Sequence, residues 1–359
     1  MSSGEKFNIV TATDAVTDDL VLYKDSNDNS MIALKEKPYI CYPLKRADQA
    51  SKIIRTVARS KNIKLNNTRV IEIIDEIDSR CYESGTLIEV NNKIAKHEDG
   101  YISHLSDSLF IKVNKGTTTI LHSCPDEVYF YRRQGFKDTA IKEHRKETIL
   151  SLLKRFNCSA DEKLLLLAWL IYTISTPKSS QRPYPILKIY ASAGSGKSIL
   201  CGKIIRWLID ANDNEMSSLQ ANIKDIAISA QSSHGLIYDN LRSFNSDISD
   251  TLCKVSTGGS ISSRMLYSDN AEFTIQMRAA LVLNGIHAFG TESDLISRCV
   301  TINLRPLNDA ERLSEADLSM QLEHDLPEYL SLLHALAARI LAVKDTISVT
   351  YKSRMADFS

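Results

Sequence analysis

Hydrophobic residues recur at helical spacing in two successive stretches near the start of the chain. Between Ala47 and Lys61 they return every three or four positions, and after Asn66-Asn67-Thr68 the run from Val70 to Ile77 repeats that spacing. A period of about 3.6 residues is typical of a helix that buries one face. The pattern therefore predicts two amphipathic helices in succession.

The pattern changes to short, β-branched runs from Thr86 onward. Residues 109–113 and 117–121 are such runs, and they flank Asn114-Lys115-Gly116, a sequence typical of a tight turn. These residues predict a β-hairpin. Together with the preceding helices, they indicate a small α+β domain over residues 1–150, a candidate for binding DNA or a protein partner.

A third apolar segment begins with Ser159-Ala160-Asp161-Glu162, where serine and glutamate have the spacing of a capping box. We expect a helix from there to about Ser175, and its apolar residues on nearly every side predict that it is buried. The breaker-rich stretch 176–183 follows, and strand-like and helix-like patterns alternate after it. This alternation predicts an α/β core over residues 151–307, with a parallel sheet and helices on both faces, followed by a helical lid and C-terminal segment over residues 308–359.

Composition and charge agree with a folded, soluble protein. Of 359 residues, 43% are hydrophobic and 25% are charged, and 44 basic residues balance 44 acidic ones. The longest apolar run, residues 164–172, is shorter than the ~20 residues that span a bilayer. Seven cysteines are scattered without a C-x-x-C pair. These features predict a cytoplasmic protein with reduced thiols and no membrane partner, whose contacts with nucleic acid depend on local patches rather than on net charge.

A glycine-rich loop lies between a strand-like run, residues 185–190, and a helix-like run, residues 199–210. In that context glycines let backbone N–H groups turn towards a phosphate at the start of the helix, which predicts ATP as the ligand. Lys197 would reach the β- and γ-phosphates, and Ser198 would bind Mg²⁺. The residues predicted to contact the nucleotide are Ser192, Ala193, Gly194, Ser195, Gly196, Lys197 and Ser198.

Ala191 stands where this phosphate-binding motif usually has its first glycine. Alanine fits there if its φ angle is negative. The alternative interpretation is a glycine-rich turn before an ordinary helix.

The next apolar strand ends in Asp239-Asn240. An acid at the carboxyl end of a parallel strand is placed to hold Mg²⁺, so Asp239 is the second predicted metal-binding residue. Asn240 stands where many such ATPases have the glutamate that polarises water, and an amide orients water but accepts no proton. Hydrolysis is then slow or uses another base, with Asp247 and Asp250 as candidates; alternatively, Asn240 only turns the chain.

Two further polar residues follow buried strands or helix ends. Asn284 ends the run 279–285 and suits a sensor of the γ-phosphate or of the attacking water. Arg298 ends a short helical stretch before another strand, where an arginine finger would be supplied to the nucleotide of a neighbouring subunit. A surface arginine is the alternative. The predicted catalytic residues are Lys197, Asp239, Asn240, Asn284 and Arg298.

The region from Tyr184 to Leu307 resembles the helicase-like AAA+ ATPases of phages and integrative mobile elements, relatives of superfamily 3 and minichromosome-maintenance helicases. The resemblance rests on residues 238–241 (YDNL), 246–253 (SDISDTLC), 256–259 (STGG), 264–269 (RMLYSD) and 283–286 (LNGI). It implies a P-loop AAA+ core that binds ATP and Mg²⁺, a homo-oligomer, expected as a hexamer, and single- or double-stranded DNA as partner. The ending, residues 353–359, resembles a motif that continues further in the family, so a truncated or naturally short form is expected.

Two basic surfaces are candidates for the DNA contact. Residues 261–267 and 272–277 predict a hairpin with Arg264 and Arg278 on or near its arms; in related helicases such a hairpin enters the central pore, although here the tip contains Asp269. On the first predicted helix, the basic residues share a face, and no acid lies nearby. Its candidate DNA contacts are Lys52, Arg55 and Arg59. A hairpin that only packs subunits and a solvated helix face are the alternatives.

These observations predict an oligomeric, ATP-driven DNA translocase or helicase-like protein of a mobile element's replication system. One alternative is a nucleotide-operated switch or loader that hydrolyses ATP slowly and acts on a protein partner, which Asn240, the neutral charge and the acidic hairpin tip favour. A small-molecule kinase on a P-loop core is a second alternative, but Asn284 and Arg298 recur at AAA+ positions.

Overall fold

The computed structural model describes residues 8–44, 49–192, 194–264, 272–286, 289–308, 314–348, 355 and 358. Its helices are α1 Ile9–Thr17, α2 Gln49–Ser60, α3 Asn67–Ser84, α4 Thr148–Arg155, α5 Ala160–Ser175, α6 Arg206–Asp210, α7 Ile223–Ser232, α8 Ser246–Thr257, α9 Ser293–Ile296 and α10 Glu315–Val343. Its strands are β1 Leu20–Lys24, β2 Ser30–Leu34, β3 Ile40–Pro43, β4 Thr86–Leu87, β5 Val90–Asn91, β6 Ile94–His97, β7 Gly100–Ser106, β8 Leu109–Asn114, β9 Thr117–Leu121, β10 Tyr129–Tyr131, β11 Ile186–Ala191, β12 Gly235–Leu241, β13 Gly259–Arg264, β14 Glu272–Met277, β15 Ala280–Gly285 and β16 Cys299–Leu304.

The first compact unit comprises Met1–Asn92 and His122–Phe136. Its strands form one mixed sheet in the order β4-β1-β2-β3-β10-β5. The two predicted amphipathic helices are present as α2 and α3, whose apolar faces, including Ile54 and Ile73, are fully buried. Periodicity was therefore a sound guide to this part of the chain.

The second compact unit comprises Lys93–Leu121 and Lys137–Ser359, so the contacts divide the chain differently from a boundary at residue 150. The antiparallel sheet β6-β7-β8-β9, which contains the predicted hairpin, belongs to this unit because it packs against α10. The backbone N–H of Gly116 donates to the carbonyl of Ala338 (2.8 Å), and Tyr101 Oη lies 2.8 Å from His334 Nδ1. Burial lowers the pKa of His334 to about 3, which keeps the imidazole neutral.

A parallel sheet in the order β12-β15-β11-β16 forms the centre of the second unit. Both faces of β11 are covered: Leu187 and Ile189 pack into one hydrophobic cluster with α5 and α10, whereas Ile186 packs into another with α7 and α8. The expected mixed α/β fold with helices on both faces of a parallel sheet is confirmed. At the outer edge, Ser217 forms a parallel bridge with Tyr238.

The segment after the glycine-rich loop is helical, as predicted, but only its end is an α-helix. Ile199–Ile205 form a π-helix, and α6 continues from Arg206. Arg206 Nη1 donates to the carbonyl of Gly235 (3.1 Å), and the Asp210 carboxylate accepts the backbone N–H of the same glycine (2.9 Å). These bonds fasten the helix to the start of β12.

Helix α5 has the predicted capping box, formed by Ser159 and Glu162. Glu162 also accepts hydrogen bonds from the backbone and side chain of Asn303 on β16 (2.8 and 3.0 Å). Although burial alone would raise its pKa, these hydrogen bonds and those from Ser159 lower the pKa of Glu162 to about 2. Helix α5 is largely buried, as expected: Leu166, Trp169 and Leu170 are fully buried, although Leu164 is 61% exposed.

The helical segment Ala316–Thr346 is, by length and composition alone, apolar enough to cross a membrane. A core helix of a soluble protein passes the same test, and half of its most apolar window is buried. Leu326, Tyr329 and Leu333 of this segment pack into the core of the second unit. This burial is typical of a core helix.

Candidate functional site

The glycine-rich loop has the backbone conformation that a phosphate-binding turn requires. Gly194 and Gly196 have φ angles of 75° and 78°, in the left-handed region that favours glycine. Ser195 is buried, and its Oγ donates to the carbonyl of Ser192 (2.8 Å). Ala191 ends β11 in an extended conformation, so alanine is compatible with that position. The predicted contact Ala193 lies outside the described residues.

The carboxyl ends of β11, β12 and β15 meet at one edge of the sheet, as expected for parallel strands. There Lys197 Nζ lies 3.9 Å from Asp239 Oδ1. A cavity of about 280 Å³ adjoins the loop; its lining includes the residues from Gly194 to Ile199, together with Ser192 and Ile286. Lys197 and Ser198 therefore line this cavity, and Asp239, distant in sequence, lies beside the Lys197 amino group.

Asn240 adopts an unusual conformation at this edge. Its φ angle of 59° is left-handed, and the pairing of β12 with β15 shifts register between Tyr238 and Leu241. The Asn240 backbone N–H lies 2.7 Å from Asp239 Oδ1 and 3.4 Å from Asn284 Oδ1. The turn thus brings a donor to the Asp239 carboxylate while the Asn240 side chain remains exposed.

Asn284 is fully buried at the end of β15. Its Oδ1 faces the Asn240 backbone N–H, and its Nδ2 lies 3.8 Å from the sulfur of Met216. Four of the predicted catalytic residues, Lys197, Asp239, Asn240 and Asn284, are therefore brought together.

Arg298 lies between α9 and β16 and bonds to residues of α9 and of β11. Nη1 donates to the carbonyl of Asp294 (2.8 Å) and forms an ion pair with the carboxylate of that residue. The carbonyl of Arg298 accepts from the backbone N–H of Ile186 (2.9 Å). Its position is thus fixed by α9 and by the strand that carries the glycine-rich loop.

A second cavity, of about 480 Å³, also adjoins the glycine-rich loop. Its walls include Leu304, Leu307 and Leu318, with Asn157 and Arg305 among its polar residues. Asn157 Nδ2 donates to the carbonyls of Ser195 (3.3 Å) and Arg305 (2.5 Å), so it links the loop to the segment after β16. Sequence reasoning missed this cavity, since Asn157 belongs to no recognisable motif.

The predicted DNA contacts lie on two separate surfaces. Lys52 and Arg59 are exposed on α2, whereas Arg55 donates to the carbonyl of Leu65 (3.3 Å) and to Asn67 Oδ1 (2.7 Å). Arg55 therefore also fixes the turn between α2 and α3.

The predicted hairpin is present as β13 and β14, and its tip, residues 265–271, lies outside the described residues. The Arg264 backbone ends β13, and its side chain is likewise not among the described groups. Arg278 follows β14 and donates to the carbonyl of Arg182 (3.0 Å). Burial lowers the pKa of Arg278, and a Cβ at Gly258 would lie 1.9 Å from its Nη2, so the guanidinium packs closely at the base of the hairpin.

Solved structures similar to this chain include two of the NrS-1 C-terminal region. The A form of the apo NrS-1 C-terminal region is 12% identical, with 93% of this chain and 73% of that chain covered and a TM-score of 0.50. Another apo structure, of residues 305–718, is 10% identical, with 96% and 76% covered and a TM-score of 0.46. A JCV helicase with a bound thiazolopyridine acetamide compound is 15% identical, with 54% and 61% covered and a TM-score of 0.28. At such low identity the first of these likenesses shows the fold alone.

A search of curated protein sequences found no match. A family model described as "Actinomycete integrative conjugative element replication protein" matches residues 148–359. The match contains the glycine-rich loop, the strand that ends at Asp239, and Arg298. Because it covers more than half of the sequence, this chain belongs to the family of actinomycete integrative conjugative element replication proteins.

Proposed function

We propose that this chain is an ATP-binding and ATP-hydrolysing, helicase-like AAA+ protein that works as an oligomer, expected as a hexamer, on DNA during replication of a mobile element in the host cytoplasm. The convergence of Lys197, Asp239 and Asn284 beside a loop with two left-handed glycines carries this proposal. The family's description supports the role in replication.

The loop would bind the ATP phosphates through backbone N–H groups and the start of the following helix. Lys197 would add a positive charge at the β- and γ-phosphates. Lys197 lines the cavity, and its amino group lies 3.9 Å from Asp239, so both charges are in place before the nucleotide binds.

The Ser198 hydroxyl and the Asp239 carboxylate would hold Mg²⁺, because both are hard oxygen donors of the kind that this ion prefers. Bound Mg²⁺ would neutralise charge on the phosphates. The Asn240 backbone N–H, 2.7 Å from Asp239 Oδ1, orients the carboxylate from within the protein.

The larger cavity would receive the nucleoside part of ATP. Apolar walls beside a phosphate-binding loop suit a flat base, and a few polar groups fix its orientation. Asn157 holds the loop and the segment after β16 on either side of this cavity, which keeps its shape.

Arg298 would act on the nucleotide of a neighbouring subunit by stabilising charge that develops on the transferring phosphoryl group. Its ion pair with Asp294 and the hydrogen bond from Ile186 to its carbonyl hold the half-buried residue at a defined place beside α9. A side chain that is held in place can stabilise charge in the transition state without first changing its conformation.

Asn240 favours the alternative of a slow switch or loader that acts on a protein partner, because an amide cannot accept a proton from water. In the proposed translocase, Asn284 and Asn240 orient the attacking water and hydrolysis is coupled to DNA. Stimulation by DNA is the property in which the two functions differ.

The proposed DNA surfaces are the exposed residues Lys52 and Arg59 on α2, with Arg55 at the adjoining turn, and the β13–β14 hairpin with Arg264 and Arg278. Arg278 already donates to Arg182, so it would support the hairpin base as well as contact DNA.

The test is the steady-state ATPase rate of the full chain with and without single-stranded DNA, with Lys197→Ala as the inactive control. A translocase should hydrolyse ATP faster on DNA. Hydrolysis that DNA leaves unchanged would support the switch, and hydrolysis equal in the wild type and in Lys197→Ala would place the active site elsewhere.

The role of Arg298 in a neighbouring subunit has its own test. Arg298→Ala should bind ATP almost normally and lose on the order of a thousandfold in turnover. Mixing it with Lys197→Ala should restore partial activity, because Lys197→Ala subunits supply the missing arginine. If activity stays absent although subunit exchange is confirmed, Arg298 acts within its own subunit or only supports the fold.

A further inference from the structure

Lys188 is a charged residue in the middle of β11, the strand that leads into the glycine-rich loop. Only 3% of its surface is exposed. Removing an ammonium group from water is unfavourable, and an interior strand position is normally apolar. The placement of a lysine here therefore requires an explanation beyond packing.

The amino group of Lys188 bonds to one main-chain carbonyl and lies against two rings. Nζ donates to the carbonyl of Gly290 (2.9 Å) and lies 5.2 and 4.9 Å from the ring centroids of Tyr190 and Phe289. These contacts compensate in part for desolvation. They also fasten β11 to the segment between β15 and α9.

Gly290 is directly coupled to α9. Its φ angle is 53°, and a Cβ there would lie 2.6 Å from Leu295 Cδ2. Leu295 is fully buried, and its carbonyl accepts the backbone N–H of Arg298 (3.0 Å). A short chain of contacts thus runs from the Lys188 amino group through Gly290 and Leu295 to Arg298.

The end of the β15–α9 segment that lies nearer Asn284 is held by other contacts. Phe289 packs so closely on Gly285 that a Cβ there would lie 2.7 Å from the ring, and the ring also contacts Tyr190 and Phe244. The Lys188 amino group also lies over the Phe289 ring, but the packing of that ring on Gly285 and Phe244 is apolar and should persist without it. Loss of that group should therefore release the α9 side and leave Asn284 in place.

We propose that Lys188 is a positioning residue that fixes α9, and through it Arg298, for ATP hydrolysis. This inference rests on the proposed function of Arg298 as a catalytic arginine. A lysine suits the position because its four methylene groups fill the core while its amino group reaches the carbonyl beyond the aromatic rings.

The test is Lys188→Met in the full chain, which keeps the length of the side chain and removes the donor. Binding of a fluorescent ATP analogue should change less than about twofold, whereas turnover should fall about tenfold, because a displaced Arg298 stabilises the transition state less well. Lys96→Met, which replaces an exposed lysine on β6, is the matched control and should change neither quantity.

A double-mutant cycle separates positioning of Arg298 from a general effect on the fold. If Lys188 acts through Arg298, adding Lys188→Met to Arg298→Ala should cause no further loss in single-turnover rate. Losses that multiply, or an unchanged rate in Lys188→Met alone, would overturn the inference while leaving the proposed function intact. Arg298→Ala with normal turnover would instead overturn both the inference and the proposed role of Arg298.

A second variant covers the case in which Lys188→Met does not fold. Gly290→Ala keeps the lysine, but its methyl group would meet Leu295 and Phe244 and displace α9. It should reproduce the loss of turnover, again without effect in the Arg298→Ala background. Full activity of folded Gly290→Ala would contradict the coupling between this segment and Arg298.

Discussion

Substitutions of Asn240 should affect the stability of the protein and its rate of ATP hydrolysis in different ways. Its left-handed φ of 59° suits glycine and is tolerated by asparagine, but it disfavours alanine by about 1–2 kcal/mol. Asn240→Ala should therefore lower the free energy of unfolding by about 1 kcal/mol, since asparagine itself is not entirely free of strain. Asn240→Gly should change it by only a few tenths of a kcal/mol. Both variants keep the backbone N–H that faces Asp239.

The side chain is exposed at the edge of the candidate site, so its removal should affect catalysis equally in both variants. If the amide orients the attacking water, the loss of one hydrogen bond corresponds to about a tenfold fall in turnover. Urea unfolding and steady-state ATPase rates, measured on the same preparations, give the two quantities. Normal turnover in Asn240→Gly would refute the catalytic role and leave Asn240 as a residue that turns the chain.

Lys197→Ala should abolish ATP turnover and leave the fold intact, as a fall below detection with an unchanged circular dichroism spectrum would show. Glu162→Gln should lower the free energy of unfolding by about 1 kcal/mol at pH 7, because charge-assisted hydrogen bonds are stronger than neutral ones. Since folding lowers the Glu162 pKa from 4.5 to about 2, this difference should be complete above pH 4.5 and should disappear as the pH falls towards 2; a constant difference would contradict the assignment. Replacing Lys52 and Arg59 with alanine should reduce the slope of log affinity for DNA against log salt by about 2, whereas an unchanged slope would exclude α2 from the interface.

Local patterns in the sequence were sufficient for much of the fold. Helical periodicity predicted α2 and α3, a capping box predicted the start of α5, and a turn sequence predicted the β8–β9 hairpin. Such signals involve residues within a few positions of one another, so no tertiary information is needed to read them. The glycine-rich loop belongs to the same class, because positive φ at Gly194 and Gly196 is a local requirement.

Features that depend on distant contacts were not predictable in the same way. The β6–β9 sheet joins the second unit because Gly116 and Tyr101 bond to α10, more than two hundred residues away. Leu164 is exposed although its helix is apolar, because only the tertiary packing decides which faces are covered.

In the candidate site, too, some features follow from local sequence and others depend on contacts between distant residues. The sequence by itself determined which residues have the chemistry for phosphate and Mg²⁺, since the motif around Lys197 and the acid at Asp239 follow from residue type and spacing. Only the tertiary structure decided that Asn157 joins the loop to the segment after β16, and that the buried Lys188 bonds to the segment leading to Arg298. The physical reason is that these contacts join elements distant in sequence. Whether a carbonyl lies within reach of Asn157 or Lys188 is settled only once the chain has folded.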